Sequence, residues 1–318
     1  MNGILNPVSM STTSSFIFST FDSANYQIDV RSSGITVTMT SVGELDRAQL
    51  SSGSKVNGAN NVYTFTFRAS SPLKDGDRVY IKVPNSIIPP VSPTCNGILL
   101  LAPTLACNTL NKEIFVTISV ASGTTIAVRN DFSFSISGFE NPSSTKPTLA
   151  LTFEVQDSTG SPINTYTSVL IVTVTTDTAA TITTASANNE NKFASQSTTL
   201  YLNLTTIHEI PQNGIIIVTY PIEIEPLDPT VTSITCSLNI AASPICTHYA
   251  ANKTIEISNI LTSTFLANGT AIEITLNEMK NPSTSTPSSS FRIGTYEVSS
   301  GNNYIIDEIS TGLTISVD

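Results

Sequence analysis

The sequence predicts an all-β protein built from tandem β-sandwich domains of immunoglobulin-like type, and three observations predict it. Short segments alternate apolar and polar residues with the period of two that marks a half-buried strand. Val62-Tyr63-Thr64-Phe65-Thr66-Phe67 is a clear case. Gly, Pro, Asn and Asp punctuate these segments, and no stretch carries a helical period with caps. An Asn-Pro element recurs at near-equal spacing: Asn6-Pro7, Asn141-Pro142 and Asn281-Pro282. Ten positions after each Asn stands an inward apolar residue, Phe16, Leu151 or Phe291. A repeat of that length is a domain rather than a solenoid unit.

Composition sets the outer bounds. The 318 residues are 40% hydrophobic, enough for about two ordinary cores. Only 12% are charged, against about 25% in a typical soluble domain. Ser, Thr and Asn carry the polar surface instead. The net charge of −10 and the absence of any Lys/Arg cluster exclude a phosphate-neutralising face, so no nucleic-acid partner is expected. No apolar run is long enough to cross a bilayer. Met1 to Met10 lacks the basic start and apolar core of a signal peptide, so for a secreted chain the signal is expected outside this sequence.

Residues 1–40 read as the closing part of a repeat whose front is absent. Phe16, Phe18 and Phe21 alternate along its first strand, Asp22 to Asn25 make a turn, and Tyr26–Val30 and Ile35–Met39 are two further strands. A first full domain is expected over 41–175. Its strands carry Tyr63, Phe65 and Phe67, then Val79, Ile81 and Val83 beyond the Asp75-Gly76 turn. Ile114–Ile118, Phe132–Ile136, Leu149–Val155 and Val169–Val174 complete it. A second domain over 176–318 follows the same order. Leu200, Leu202 and Leu204 replace the aromatic strand, and Phe291–Val298, Tyr304–Ile306 and Leu313–Val317 close it. The joins are short and lack a Gly/Ser linker, which favours a semi-rigid rod. Asp318 stands where Asp177 stands, at the point where a further domain is expected to begin.

The four cysteines form two local pairs at matching places, Cys95 with Cys107 and Cys236 with Cys246. This predicts two loop-pinning disulfides and an oxidising compartment. The alternatives are free buried thiols or a metal site. The metal site is disfavoured because no Cys-x-x-Cys occurs and no His lies at ligand spacing.

Catalytic constellations are missing. His208 and His248 have no recognisable Ser, Cys or acidic partner, and His208 reads as a surface-loop residue beside Glu209. No phosphate-binding glycine loop occurs. Asp75 with Asp77, and Glu223 with Glu225 and Asp228, are acidic patches that read as solvated loops rather than Ca²⁺ sites. No cofactor, metal or enzymatic activity is expected. Three glycosylation sequons begin at Asn203, Asn252 and Asn268, and covalent glycans are expected on at least one. The Asn-Pro element itself reads as a register-setting turn, with Pro fixing φ and Asn forming a local side-chain turn.

The run of Asn-Pro, Ser/Thr, Pro and a Phe-containing strand resembles repeats of very large secreted or surface proteins of ciliates and related protists. Phe291 to Val317 carries the resemblance furthest. It implies an extracellular, tandem, β-rich array and transfers no catalytic residue. The function expected is that of a structural subunit of an extracellular filament or surface coat, assembled head to tail with itself. Phe16, Phe18 and Phe21 would pack on a neighbouring domain or subunit. The alternative is an adhesin or glycan-binding surface module using loops at the ends of the sandwich.

Overall fold

The computed structural model describes residues 6–121, 125–165, 173–241, 243–261 and 265–318. By its contacts the chain divides into two units. The first comprises Met1–Gly53, Asn60–Glu140 and Thr148–Val174. The second comprises Ser54–Ala59, Asn141–Pro147 and Thr175–Asp318. Residues 1–40, read from sequence as a separate partial repeat, thus group with the first unit. Two short segments group with the second unit although their chain neighbours lie in the first.

The first unit opens with a hairpin of β1 (Phe18–Phe21) and β2 (Gln27–Arg31), exposed along both strands. Then come β3 (Gly43–Ser52), β4 (Asn60–Ala69), β5 (Arg78–Lys82), β6 (Thr94–Leu99), β7 (Cys107–Leu110), β8 (Glu113–Thr117), β9 (Asp131–Glu140), β10 (Thr152–Gln156) and β11 (Pro162–Thr165). The order β6-β9-β4-β3 forms one layer and β11-β10-β5-β8-β7 the other. The start of β3 pairs in parallel with β11, which ties the layers along one edge. Between them lies an aromatic core. Tyr63, Phe65 and Phe67 alternate inward on β4, and Phe132, Phe134 and Phe139 lie beside them on the same inner face from β9. Phe67 meets Phe153 edge to face at 5.1 Å. Such ring pairs add about 0.5–1.5 kcal/mol each beyond area burial.

The second unit repeats the plan with aliphatic residues. Its strands are β12 (Ala180–Thr181), β13 (Ala185–Asn189), β14 (Ser197–Thr205), β15 (Ile210–Pro211), β16 (Ile215–Thr219), β17 (Glu225–Pro226), β18 (Cys236–Leu238), β19 (Ile245–Tyr249), β20 (Thr254–Ser258), β21 (Phe265–Leu266), β22 (Ala271–Lys280), β23 (Arg292–Ser299) and β24 (Asn302–Ile309). One sheet is β13-β14-β22-β17, with β18 also on β22, and the other is β12-β24-β23-β16-β20-β19. Here the long first strand is split: β12 pairs in parallel with β24 while β13 pairs with β14. Leu200, Leu202, Leu204, Ile272, Ile274 and Leu276 fill the core from one sheet, Ile216, Val218, Ile255 and Ile257 from the other, and Phe291 from just before β23.

The closing segments depart from expectation in an informative way. Ile35–Met39 and Leu313–Val317 are not ladder strands. Each is held by side-chain hydroxyls that accept its N–H groups. Thr13 Oγ1 accepts from Val37 and Ser15 Oγ from Ile35. Ser288 Oγ accepts from Ile315 and Ser290 Oγ from Leu313. Thr148 Oγ1 accepts from Val174 at the matching place in the middle copy. Backbone bonds run the other way, from Phe16 N to Ile35 O and from Phe291 N to Leu313 O. Hydroxyls thus stand in for half of a strand ladder, so Ser and Thr at these positions are structural acceptors. The strand expected from Leu149 begins only at Thr152, because the segment after Pro147 leaves Leu149 80% exposed. The strand expected over Val169–Val174 lies mostly outside the described residues.

Candidate functional site

The recurring Asn-Pro element makes two kinds of contact: an Asn clamp seen at Asn141 and Asn281, and a hairpin contact seen after Asn6 and Asn141. Asn141 is buried, and its Nδ2 donates to Ser54 O (3.1 Å) and Val56 O (2.9 Å). Asn281 is buried too, and its Nδ2 donates to Asn191 O (2.6 Å) and Phe193 O (3.0 Å). The sequence reading gave these asparagines a local turn. They instead bind a loop far away in sequence, because the following Pro holds the backbone extended and aims the carboxamide outward. The Pro carbonyl continues the clamp: Gly58 N donates to Pro142 O and Ser195 N to Pro282 O, both at 3.0 Å.

The residues three, four and five positions after the Asn then reach a closing hairpin. In the first unit, Ser9 Oγ and Ser11 Oγ donate to Asp157 Oδ2 at 2.7 and 2.6 Å, and Met10 N donates to Pro162 O at 3.0 Å. In the second unit, Ser144 Oγ donates to Glu297 Oε2 at 2.7 Å and Lys146 Nζ to Glu297 Oε1 at 2.6 Å. Thr145 N donates to Ile305 O at 3.0 Å. One carboxylate therefore gathers two side-chain donors while a hairpin carbonyl takes the intervening N–H. Asn57 adds to the second instance, with Nδ2 on Ile305 O and Ile306 O and Oδ1 accepting from Thr176.

Burial on its own would raise the Asp157 carboxyl. Hydrogen bonds from Ser11, Thr159, Ser9 and the Ser161 N–H outweigh it and hold the group well below the ordinary carboxylate range. A depressed folded-state value gives stabilisation that is complete above the unfolded value of about 4 and is lost as the pH falls. Asp157→Asn is therefore expected to cost about 1–2 kcal/mol at neutral pH. The gap between variant and wild type in urea should stay constant down to about pH 5 and close below it.

The reading of His208 as a surface-loop residue is corrected by the structure. His208 is not a free surface residue: Nδ1 lies 2.7 Å from Oδ1 of the fully buried Asp307. Asp307 Oδ2 also accepts the N–H groups of Ile207 and His208. The first unit shows what this pair does. There Asn164 holds the place of Asp307, and its Nδ2 donates to Ser70 Oγ at 2.8 Å, in the loop after β4. Both arrangements pin that loop to the last strand, so the His–Asp pair is a structural tie. His248 is likewise internal. Its Nδ1 donates to Val231 O, and its Nε2 accepts from Tyr220 Oη at 2.7 Å.

His208 also explains a glycine. Gly58 has φ +61°, and a Cβ added there would lie 1.7 Å from His208 Nε2. Ser195 holds the matching place at φ +57°. The turn thus demands left-handed backbone in both copies, while crowding demands glycine in one. Gly58→Ala is expected to destabilise by about 2–3 kcal/mol. The check is a lower denaturant midpoint at unchanged slope.

The remaining residues singled out by sequence are placed as follows. Cys95–Cys107 and Cys236–Cys246 are disulfides. Asn203, Asn252 and Asn268 are exposed, and Asn203 lines a shallow groove with Ser186, Asn239 and Glu273. Phe16, Phe18 and Phe21 are 42%, 53% and 55% exposed. The acidic patches are engaged locally: Asp75 accepts from Val120 N, Asp77 from Lys74 N, Glu223 from Ser289, Glu225 from Lys280 and Asp228 from Thr230. Among the described residues no group of three or more His, Cys, Asp or Glu is placed to hold a metal ion. No described helix is long and apolar enough to cross a membrane.

The carboxylate at the hairpin was missed in sequence, although a signal was present. An acid stands sixteen positions after each Asn: Asp22, Asp157 and Glu297.

No known family matches this sequence, and no curated protein matches it. Among solved structures, the chain is similar to the type II cohesin dyad of an adaptor scaffoldin from Acetivibrio cellulolyticus. That likeness has 10% identity and a TM-score of 0.22, over 84% of this chain and 96% of that one. It is similar to the C-terminal domain of an antigen I/II-family protein from Streptococcus pyogenes at 8% identity and a TM-score of 0.28, over 96% and 100%. A partial N-terminal region of an enterococcal surface protein gives 6% identity and a TM-score of 0.29, over 87% and 94%. Likenesses this weak carry nothing over to this chain, and none of the three is to a ciliate protein.

Proposed function

We propose that the chain is a structural element of an extracellular filament or surface coat, made of β-sandwich repeats joined end to end. The observation that carries this reading is the contact between the Asn-Pro element and the closing hairpin, made twice at matching positions, with two side-chain donors on one carboxylate and a backbone N–H between them on a hairpin carbonyl. Elements 141–147 and 54–59 are integral to the second unit although the rest of their repeat lies in the first. A repeat that contributes its tip to the next unit's fold is a repeat suited to serial assembly. The two disulfides fit an oxidising, extracellular setting. The three exposed sequons suit a glycosylated surface, and exposed Phe16, Phe18 and Phe21 supply an apolar face for a neighbouring repeat. Gold-labelled antibody raised against the folded chain tests the reading on unpermeabilised source cells. Label at regular intervals along surface fibres is the expected result. Label confined to the cell interior would overturn it.

A further inference from the structure

Besides the two contacts described above, one tip and one hairpin of the same kind have no partner among the described residues. The third Asn-Pro element is complete up to its clamp. Beyond Asn281 and Pro282 it carries Thr284, Ser285 and Thr286 at the positions held by Ser144, Thr145 and Lys146. Ser144 is 5% exposed. Thr284, Ser285 and Thr286 are all exposed, and none has a hydrogen-bond partner among the described residues. Their chemistry is that of the first element, where hydroxyls flank a backbone N–H: Ser9, Met10 and Ser11.

The opposite half stands on the β1–β2 hairpin. Asp22 Oδ1 accepts from Ala24 N and Tyr26 N at 2.9 and 2.8 Å. Asp157 Oδ1 accepts from Thr159 N and Ser161 N at 2.9 and 3.0 Å. The two turns are thus the same, with the carboxylate fixed in the same way. Asp157 spends its second oxygen on Ser9 and Ser11, whereas Asp22 Oδ2 accepts nothing among the described residues. Gln27 pairs with Phe21 as Pro162 pairs with Gln156, which puts the Gln27 carbonyl where the Pro162 carbonyl takes the Met10 N–H.

We infer that the tip Thr284–Thr286 of one copy docks on the β1–β2 hairpin of a second copy of this chain. Thr284 and Thr286 donate to Asp22 Oδ2, and Ser285 N donates to Gln27 O. The unpartnered Thr284 and Thr286 hydroxyls match the unpartnered Asp22 Oδ2, and the two resident contacts show the geometry they adopt. The inference rests on the structural reading above and gives it a polarity. Each copy offers one hairpin and one tip, so the contact propagates head to tail rather than closing a symmetric dimer.

The test uses the full chain in sedimentation velocity over a range of concentrations. Wild type is expected to show a ladder of growing species. Asp22→Asn keeps the turn-forming oxygen and removes only the charged acceptor. Thr284→Val with Thr286→Val removes both hydroxyl donors from an exposed loop. Each variant alone is expected to self-associate about ten-fold or more weakly. An equimolar mixture of the two regains one intact contact, and its association is expected to stop at the dimer. A wild-type chain that stays monomeric overturns the inference, as do variants that associate like wild type or a mixture that grows beyond dimers. Failure of this contact is distinguishable from failure of the structural reading. Surface fibres that label with the antibody while these variants associate normally leave the reading standing and remove only this contact.

Discussion

Asn281→Ala is expected to destabilise the second unit by about 2–3 kcal/mol, since each of the three hydrogen bonds it removes is worth about 1 kcal/mol. The side chain is 2% exposed and makes three bonds: Nδ2 to Asn191 O and Phe193 O, and Oδ1 from Asn189 Nδ2. Alanine removes all three bonds: Phe193 O loses its side-chain donor, while Asn191 O and the Asn189 amide keep only the bond between them. Asn281→Asp should be no better, because it presents a carboxylate oxygen to the two carbonyls where an amide donated. Urea unfolding reads the effect as a lower midpoint. Asn141→Ala tests the same clamp at the matching place. A shift below about 1 kcal/mol in both would mean that the loops at Ser54–Val56 and Asn191–Phe193 find other donors.

Opening the two disulfides is expected to remove about 3 kcal/mol from each unit, the loop-closure entropy of a ring of about a dozen residues. The sequence separations are 12 and 10 residues. Each bond joins a strand flanking the loop in one sheet to a strand of the other: β6 to β7 in the first unit, β18 to β19 in the second. The two bonds lie in different cores, so their effects should add. Cys95→Ser with Cys107→Ser and Cys236→Ser with Cys246→Ser, taken separately and together, check both size and additivity. Unchanged unfolding after mass spectrometry has confirmed reduction of both bonds would contradict the expectation.

The strands were legible because one face of each is buried. Alternation at Tyr63-Thr64-Phe65-Thr66-Phe67 and at Leu200–Leu204 reports burial directly, and those apolar residues line the two cores. The closing segments were legible as apolar alternation at Leu313, Ile315 and Val317. What holds them was not, because Ser288 and Ser290 look like solvated surface residues until their partners are known. The joint was hidden for a related reason. Asp157 and Glu297 lie on hairpins distant in sequence from the hydroxyls they bind, and a single carboxylate in a Ser/Thr-rich chain carries no local pattern. Only its fixed spacing from the Asn-Pro pair distinguishes it. His208 was misread because its partner, Asp307, lies on the last strand of the sheet. A short-range search sees Glu209 instead.

Electron microscopy of the native assembly, with the mass of its chain measured after full denaturation and reduction, tests the central claim most directly. The account predicts filaments or a fibrous coat whose repeating bodies are β-sandwiches linked tip to hairpin. A denatured chain near the 33.8 kDa of this sequence would place that link between separate subunits. A chain several times heavier would place it between repeats of one polypeptide. Discrete particles with no filament at any concentration found in the source would contradict the account and bring the adhesin reading forward.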